Sequence, residues 1–509
     1  MKTIADNNNE MYVLNTGDLK IDLIMPELYK QWLLLSFEEC LCKPSISYNK
    51  VKKKEISNIG KLPVIDQGEK FISGYINDLS KAYKGPKPLI IFGDHTQNIK
   101  YVNMEFAIGA DGTKILHPKS IFDIRFFYHY LCSLNFQSDG YSRHYKYLKQ
   151  IFVPLPPLNE QKRIAAKLDH IMPRIDSMKE RLERIPKIIK RFRQSVLSAA
   201  VTGKLTEKWR EEHPEVESAE VLLKRIKKER ERRYQDECGN ASRQGGRKPK
   251  KYRVNNDPIN IDDVVFKWNW ERLVNIADIS GGVTKGRNLN NYDCVQLPYL
   301  RVANVQDGYL DLKEIKKMKI KNNEKKTYLL KAGDILFTEG GDRDKLGRGT
   351  VWHNEIENCI HQNHVFKARV NLNDISPEYI SLVTKSEYSK NYFLKMASQT
   401  VNLASINMTN LGDLLIPICP LEEQHEIVRQ VDKLFSLADK LEKHYKRAKE
   451  KIDKLPQSVL SKAFRGELVP QDPNDEPAEK LMERILEEEA KMEAGLKASR
   501  KKVTRKKSC

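Results

Sequence analysis

The chain has 509 residues, 89 Lys and Arg against 69 Asp and Glu, a formal net charge of +20 and 40% hydrophobic residues. That length leaves room for several domains, and the basic excess favours a polyanionic partner. No apolar run approaches the length of a membrane span. The opening "MKTIADNNNEMYVLNTGDLK" lacks a signal-peptide layout, so a cytoplasmic protein with no membrane partner is expected. The cysteines are scattered without paired CxxC knuckles, which argues against a disulfide or zinc framework.

Residues 1–157 read as a globule of short apolar β-type runs broken by Gly, Asp and Asn turns. It opens on Trp32 in "WLLLSFEECL" and contains "PLIIFGDHTQNIKYV" (88–102), a strand, a polar loop and a strand, followed by "FAIGADGTKIL" (106–116). Residues 158–235 change to helical periodicity. Ile164, Leu168, Ile171, Ile175, Met178, Leu182, Ile185, Ile189 and Phe192 step by four and three, a heptad seam of the coiled-coil kind. Glu160 falls in the opening turn, where a carboxylate suits the helix dipole. Pro173 and Pro186 predict kinks.

A basic linker follows at 236–255, then a second globule at 256–420 that opens on "WERLVNIADI" from Trp270. It carries "GDILFTEGGDRDKLGRGTVW" (333–352) before "HVFKARV" (364–370). A second helical block spans 421–495, with Pro456 as a further expected kink, and a basic tail closes the chain at 496–509. The linker and tail read as solvated segments or as phosphate contacts.

The two helical blocks are copies. "QSVLSAAVTGKL" (194–205) returns as "QSVLSKAFRGEL" (457–468), and "VPLPPLNEQKRI" (153–164) as "IPICPLEEQHEI" (416–427), all at a constant offset of 263. Pro157, Glu160, Gln161, Asp169 and Gly203 recur as Pro420, Glu423, Gln424, Asp432 and Gly466. The second seam runs from Ile427 and Val431 to Leu455 in the same register. So long a period signals two half-molecules rather than a solenoid. The predicted fold is α+β: two α/β domains and two long helical, coiled-coil spacers with pseudo-two-fold symmetry. The helices are nearly duplicated and the globules have diverged in their polar loops.

Catalytic motifs are missing from the sequence. "GGVTKGRN" (281–288) approaches a P-loop, but Arg287 and Asn288 stand where Lys and Ser or Thr are needed. There is no G-x-S-x-G elbow and no HExxH helix. His361 and His364 in "HQNH" read as strand-end or loop residues before they read as metal ligands.

"PLPPLNEQKRIAAKLD" (154–169) with "IPKIIKRFRQSVLSAAVTGKLTEKWR" (185–210), and "PLEEQHEIVRQVDKLF" with "QSVLSKAFRGELVPQDPNDEPAEKLMERI", resemble the spacers of type I restriction–modification specificity subunits. The two globules resemble two types of that family's target recognition domain. The resemblance implies a non-catalytic DNA-reading subunit with a split, asymmetric double-stranded target. It implies docking of two adenine methyltransferase subunits and of restriction/translocase subunits. S-adenosylmethionine, ATP and Mg are then expected on those partners and no cofactor on this chain. A coiled-coil adaptor that bridges proteins is the alternative; it explains the repeat but not the divergence of the loops.

DNA reading needs cations for phosphates and forked side chains for base edges. The polar loops offer His95, Thr96, Gln97 and Lys100 in the first domain. In the second they offer Thr284, Lys285, Arg287, Arg301, Asn304, Arg343, Lys345 and Arg348.

Overall fold

The computed structural model describes residues 32–42, 49–109, 112–134, 143–243, 249, 251–259, 268–341, 346–399 and 404–487. The chain divides into two compact units, Met1–Glu183 with Lys446–Cys509, and Arg184–Tyr445.

In the first unit Leu33–Ser36 pairs antiparallel with Phe152–Leu155, joining the two ends of the globule. Between them in sequence lie two three-stranded sheets. One is ordered Gly74–Ile76, Leu62–Ile65, Ala107–Ile108, the other Ile99–Val102, Leu89–Gly93, Thr113–Leu116. The central strand LIIFG is buried along its whole length, as a run apolar on both faces requires. Helix Ile124–Ser133 starts at Asp123, whose carboxylate accepts from the amides of Arg125 and Phe126.

The second unit repeats that frame with different contents. Asn269–Arg272 pairs antiparallel with Leu415–Ile418. A four-stranded sheet is ordered Ala277–Ser280, Val365–Val370, Ile335–Thr338, Gly349–Val351. Beside it Cys294–Leu300 pairs antiparallel with Lys316–Lys321 and parallel with Ile360–His361. Helix Pro377–Lys385 is capped by Ser376.

The long helices are Leu158–Val201 and Leu421–Phe464, each 44 residues. The prolines at 173, 186 and 456 do not interrupt the helical assignment; each removes one donor without ending its helix. The helices end instead at the glycine of the repeated phrase. Gly203 and Gly466 take φ of +70° and +73°, the left-handed conformation that stops a helix and that Gly adopts without strain. The seam is buried unevenly. Ile164, Leu168, Ile427 and Val431 are fully buried, whereas Met178 and Leu441 are 48% and 49% exposed.

Within each unit the closing phrase of one helix packs on the opening turns of the other. In the second unit Val196, Leu197, Ala200 and Val201 share a core with Ile427 and Val431. In the first, Leu460, Ala463 and Phe464 share one with Ile164, Ala165 and Leu168. Arg193 donating to Asp439 at 2.6 Å and Thr206 donating to Glu423 at 2.7 Å fix an antiparallel sense in the second unit.

The residues that open each helix explain why "NEQ" returns as "EEQ". Glu423 is 1% exposed. It accepts the Trp268 indole N–H at 2.8 Å, the Thr206 hydroxyl at 2.7 Å and the Arg210 guanidinium at 2.5 Å. Glu160, 0% exposed, accepts the Trp32 indole N–H at 3.0 Å and the Gln471 amide. The neighbouring glutamines bind backbone among the described residues. Gln161 accepts from Asp123 N and donates to the carbonyls of Ile121 and Pro156. Gln424 accepts from Ser376 N and donates to the carbonyl of Cys419. These carboxylates do more than face a helix dipole: each ties a globule to the far end of the opposite helix.

Two sequence assignments change. The partner of Trp32 is Trp268 and not Trp270, because Trp268 meets the matching glutamate; Trp270 instead packs on the Tyr388 ring at 5.5 Å. The repeat also extends past its constant offset. "ESAEVLLKRI" (217–226) and "EPAEKLMERI" (476–485) correspond at an offset of 259. Ala219, Leu222 and Ile226 are buried, as are Ala478, Leu481 and Ile485. Arg225 pairs with Glu217, and Arg484 with Glu476. The slip falls where the first copy holds an extra helical turn, Glu207–Glu212.

Glu423→Ala would leave Arg210, Trp268 and Thr206 facing a closed pocket without their acceptor. A loss of about 3–5 kcal/mol is expected in chemical denaturation. Glu160→Ala strands no cation and is expected to cost about 1–3 kcal/mol.

Candidate functional site

In the first globule the strands Leu89–Gly93 and Ile99–Val102 form a hairpin whose turn carries His95, Thr96 and Gln97. Gln97 takes a φ of +59°, a left-handed turn position. The turn is braced by Gln67. Its side-chain oxygen accepts from His95 N at 3.1 Å, and its carbonyl accepts from the Thr96 hydroxyl and the Asn98 amide. Below the turn, buried Asp94 accepts from the backbone of His144 and Tyr145 at 2.7 and 2.9 Å. Thr96 is exposed, and Gln97 and His95 are half-buried.

Lys100 sits elsewhere. It is 5% exposed and donates to the carbonyls of Asp66 and Lys70 at 2.8 and 2.5 Å. Burial pulls its ammonium below the usual lysine range. It staples the 66–71 loop beside the turn, with its ammonium spent on backbone carbonyls.

In the second globule the candidates fall into two groups. Thr284 and Lys285 lie exposed on a loop stitched to the end of the adjoining sheet. Val283 N donates to the His361 carbonyl at 2.8 Å, and Asn363 N to the Val283 carbonyl at 3.0 Å. Gly282 permits this approach, since a Cβ there would stand 2.0 Å from the His361 carbonyl oxygen. The Lys285 ammonium lies 5.8 Å from the Tyr299 ring.

The other group is engaged internally. Arg287 forms a two-pronged pair with Glu324, both contacts 2.9 Å. Arg301 binds Glu314 at 3.1 Å, and Arg348 donates to Gln306 at 2.9 Å. Asn304, 3% exposed, accepts from Arg301 N and donates to the carbonyls of Asp311 and Glu314. These residues shape their loops. Arg343 and Lys345 lie outside the described residues.

The structure adds residues that the sequence reading passed over. Glu339 N donates to the His364 carbonyl at 3.0 Å, and the Glu339 carboxylate pairs with His364 Nδ1. Asn363 and His364 therefore share one end of the sheet with Gly340, Gly341, Thr284 and Lys285. That end offers a cation, a carboxylate, an imidazole, an amide and a hydroxyl, the set that discriminates base edges. The only sequence cue was "HQNH". Its two histidines are not equivalent. His361 is buried with Nδ1 against the Val365 carbonyl at 2.7 Å, and burial pushes its pKa down to about 4. His364 is exposed.

An ionic cluster lies at the opposite end of the paired strands Ile335–Thr338 and Val365–Val370. Arg369 donates to Asp334 at 2.5 and 2.6 Å. Lys367 is 4% exposed, and burial, with Arg369 nearby, pushes its ammonium down to about 8. An unfolded lysine holds its proton to about pH 10.4. The unfolded chain therefore binds more protons between those values, and this group makes stability rise with pH there. Lys367→Met is expected to raise the melting temperature at pH 7, by on the order of 2 kcal/mol of stability, and to flatten the rise between pH 8 and 10.

Comparison with known proteins gives a consistent family. The model of the type I restriction modification DNA specificity domain matches residues 42–187 and 267–450. The type I restriction enzyme EcoBI specificity subunit of Escherichia coli is 33% identical over 377 residues, 70% of this chain and 68% of that protein. The EcoKI specificity subunit of Escherichia coli K12 is 32% identical over 323 residues, 63% of this chain and 58% of that protein. The chain thus spans somewhat over half the length of the EcoKI relative. The HsdS subunit from Thermoanaerobacter tengcongensis aligns over 87% of this chain and 98% of its own, with a TM-score of 0.48 and 18% identity. With two matched blocks covering most of its length, this chain belongs to the type I restriction modification DNA specificity domain family.

Proposed function

We propose that this chain is the DNA-reading subunit of a type I restriction–modification assembly. The observation that carries this is the contrast within the duplication. The same buried Glu–Gln pair anchors both globules, while the globules differ in sheet order and in the sequence of the loops they present. A symmetric frame with unlike surfaces suits a bipartite, asymmetric target. The first half-site falls to the 94–98 turn, and the second to the sheet end built from Thr284, Lys285, Asn363, His364 and Glu339.

In this reading the chain performs no catalysis. It docks two adenine methyltransferase subunits and the restriction/translocase subunits, and S-adenosylmethionine, ATP and Mg belong to those partners. Short half-sites discriminate weakly, since one mismatched base pair costs about 1–3 kcal/mol. Two linked heads gain by effective concentration only when their separation matches the target. The long helices then act as a ruler between half-sites.

Methylome sequencing of the host with and without this gene tests the proposal, with loss of one split adenine-methylated motif as the expected result. A chain with no salt-dependent affinity for duplex DNA would favour the adaptor reading. Removing one heptad from each long helix shortens each by about 10 Å. The gap in the methylated motif is expected to shrink by about three base pairs with unchanged half-sites, given roughly 3.4 Å per base pair. Changed half-sites with an unchanged gap would refute the ruler. Lys285→Ala is expected to leave the melting temperature unchanged and to weaken binding or relax one half-site by about 1–3 kcal/mol.

A further inference from the structure

The repeated helices differ sharply in charge at one place. From Arg184 to Thr206 the first copy carries Arg184, Lys187, Lys190, Arg191, Arg193 and Lys204 and no acidic residue. At the positions of Lys187, Lys190 and Lys204 the second copy carries Glu450, Asp453 and Glu467. The second copy has cations of its own here, Arg447, Lys449, Lys451, Lys454, Lys462 and Arg465, but these three acids interrupt them, and Arg465 Nε lies 3.3 Å from Glu467. Among the described residues, Arg193 is the one cation of the 184–206 stretch with an ion pair, to Asp439 and Glu442.

The unpaired cations share a feature of the surface. Lys187, Lys190, Arg191 and Lys204 line an open groove of about 730 Å³ in the second unit, with Ser195, Ser198 and Thr202 among its other lining residues and Glu387 as its one acid. All four cations are exposed. Lys187, Arg191, Ser198 and Thr202 follow helical spacing along one face, about 22 Å from end to end.

We propose that this groove carries the sugar–phosphate backbone of duplex DNA, without reading bases, on the side of the second recognition domain only. The inference rests on the DNA-reading function above and adds to it a contact on the helical frame. A small anion would need donors that converge, and these are strung along the helix. A docked protein would need large apolar or aromatic anchors, and the groove's lining holds none: beside its cations, hydroxyls, amide and Glu387 the one apolar side chain is the small Ala199. Cations and hydroxyls in a row are the donors that phosphates take. The acidic counterparts in the second copy make the contact one-sided, so it also orients a pseudo-symmetric reader on its asymmetric target.

The test is the full chain with Lys187→Gln, Lys190→Gln and Lys204→Gln together, against the wild type and a Lys→Arg triple variant at the same positions. Each is titrated over a range of salt with a duplex bearing its mapped target and with an unrelated duplex. The Gln variant is expected to lose affinity by the same factor on both duplexes. Its slope of log affinity against log salt is expected to fall by about 2–3, roughly 0.9 per phosphate released. The Arg variant is expected to keep the wild-type slope. An unchanged slope in the Gln variant, a loss confined to the target duplex, or an equal loss in the Arg variant would each overturn the proposal. So would intact DNA binding with loss of a protein subunit, which would make the groove a docking site for an acidic protein. A wild type that binds no duplex at all fails the DNA-reading function itself; a binding wild type matched by its Gln variant fails only the groove.

Discussion

A buried carboxylate at the start of each long helix is the constraint on which this architecture turns. An ionised group removed from water is stable only when its oxygens are fully met. Glu423 meets that demand with an indole from its own globule and with a hydroxyl and a guanidinium from the end of the other helix. Glu160 meets it with an indole and an amide drawn from the same kinds of place. No donor set of this sort can be gathered from one segment of chain. The carboxylate therefore specifies which pieces assemble, beyond whatever it adds to stability.

The charge of the chain is used in two ways. Many cations that look available in the sequence are committed to shaping loops: Arg287 to Glu324, Arg301 to Glu314, Lys100 to backbone carbonyls. A loop fixed by such pairs presents its remaining side chains in one arrangement, which recognition of base edges requires. Among the cations without an ion pair in the described residues are Lys285 and those that line the groove along 187–204.

Periodicity and repetition made the helical frame readable from sequence, because an apolar seam is a local signal. The recurrent Glu and Gln were visible, but their work was not, since Trp32 lies 128 residues from Glu160 and Trp268 lies 155 from Glu423. The match of "ESAEVLLKRI" to "EPAEKLMERI" was hidden by the slip in offset. The loops were the hardest part. Residue type alone cannot distinguish an arginine that reaches out from one folded onto a glutamate. Thr96, Thr284 and Lys285 are exposed and Gln97 is half-buried, whereas Lys100 and Asn304 are buried against backbone carbonyls.

The glutamine beside each buried carboxylate has a separate consequence. Gln161 and Gln424 grip their globules through main-chain carbonyls and amides. Such a grip is indifferent to side-chain identity, because every residue offers the same peptide groups. A joint of this kind suits a globule that delivers a capped helix, a closing strand and an indole for the carboxylate. Recombination at "PPLNEQ" or "CPLEEQ" could thus exchange one head for another and leave the socket whole.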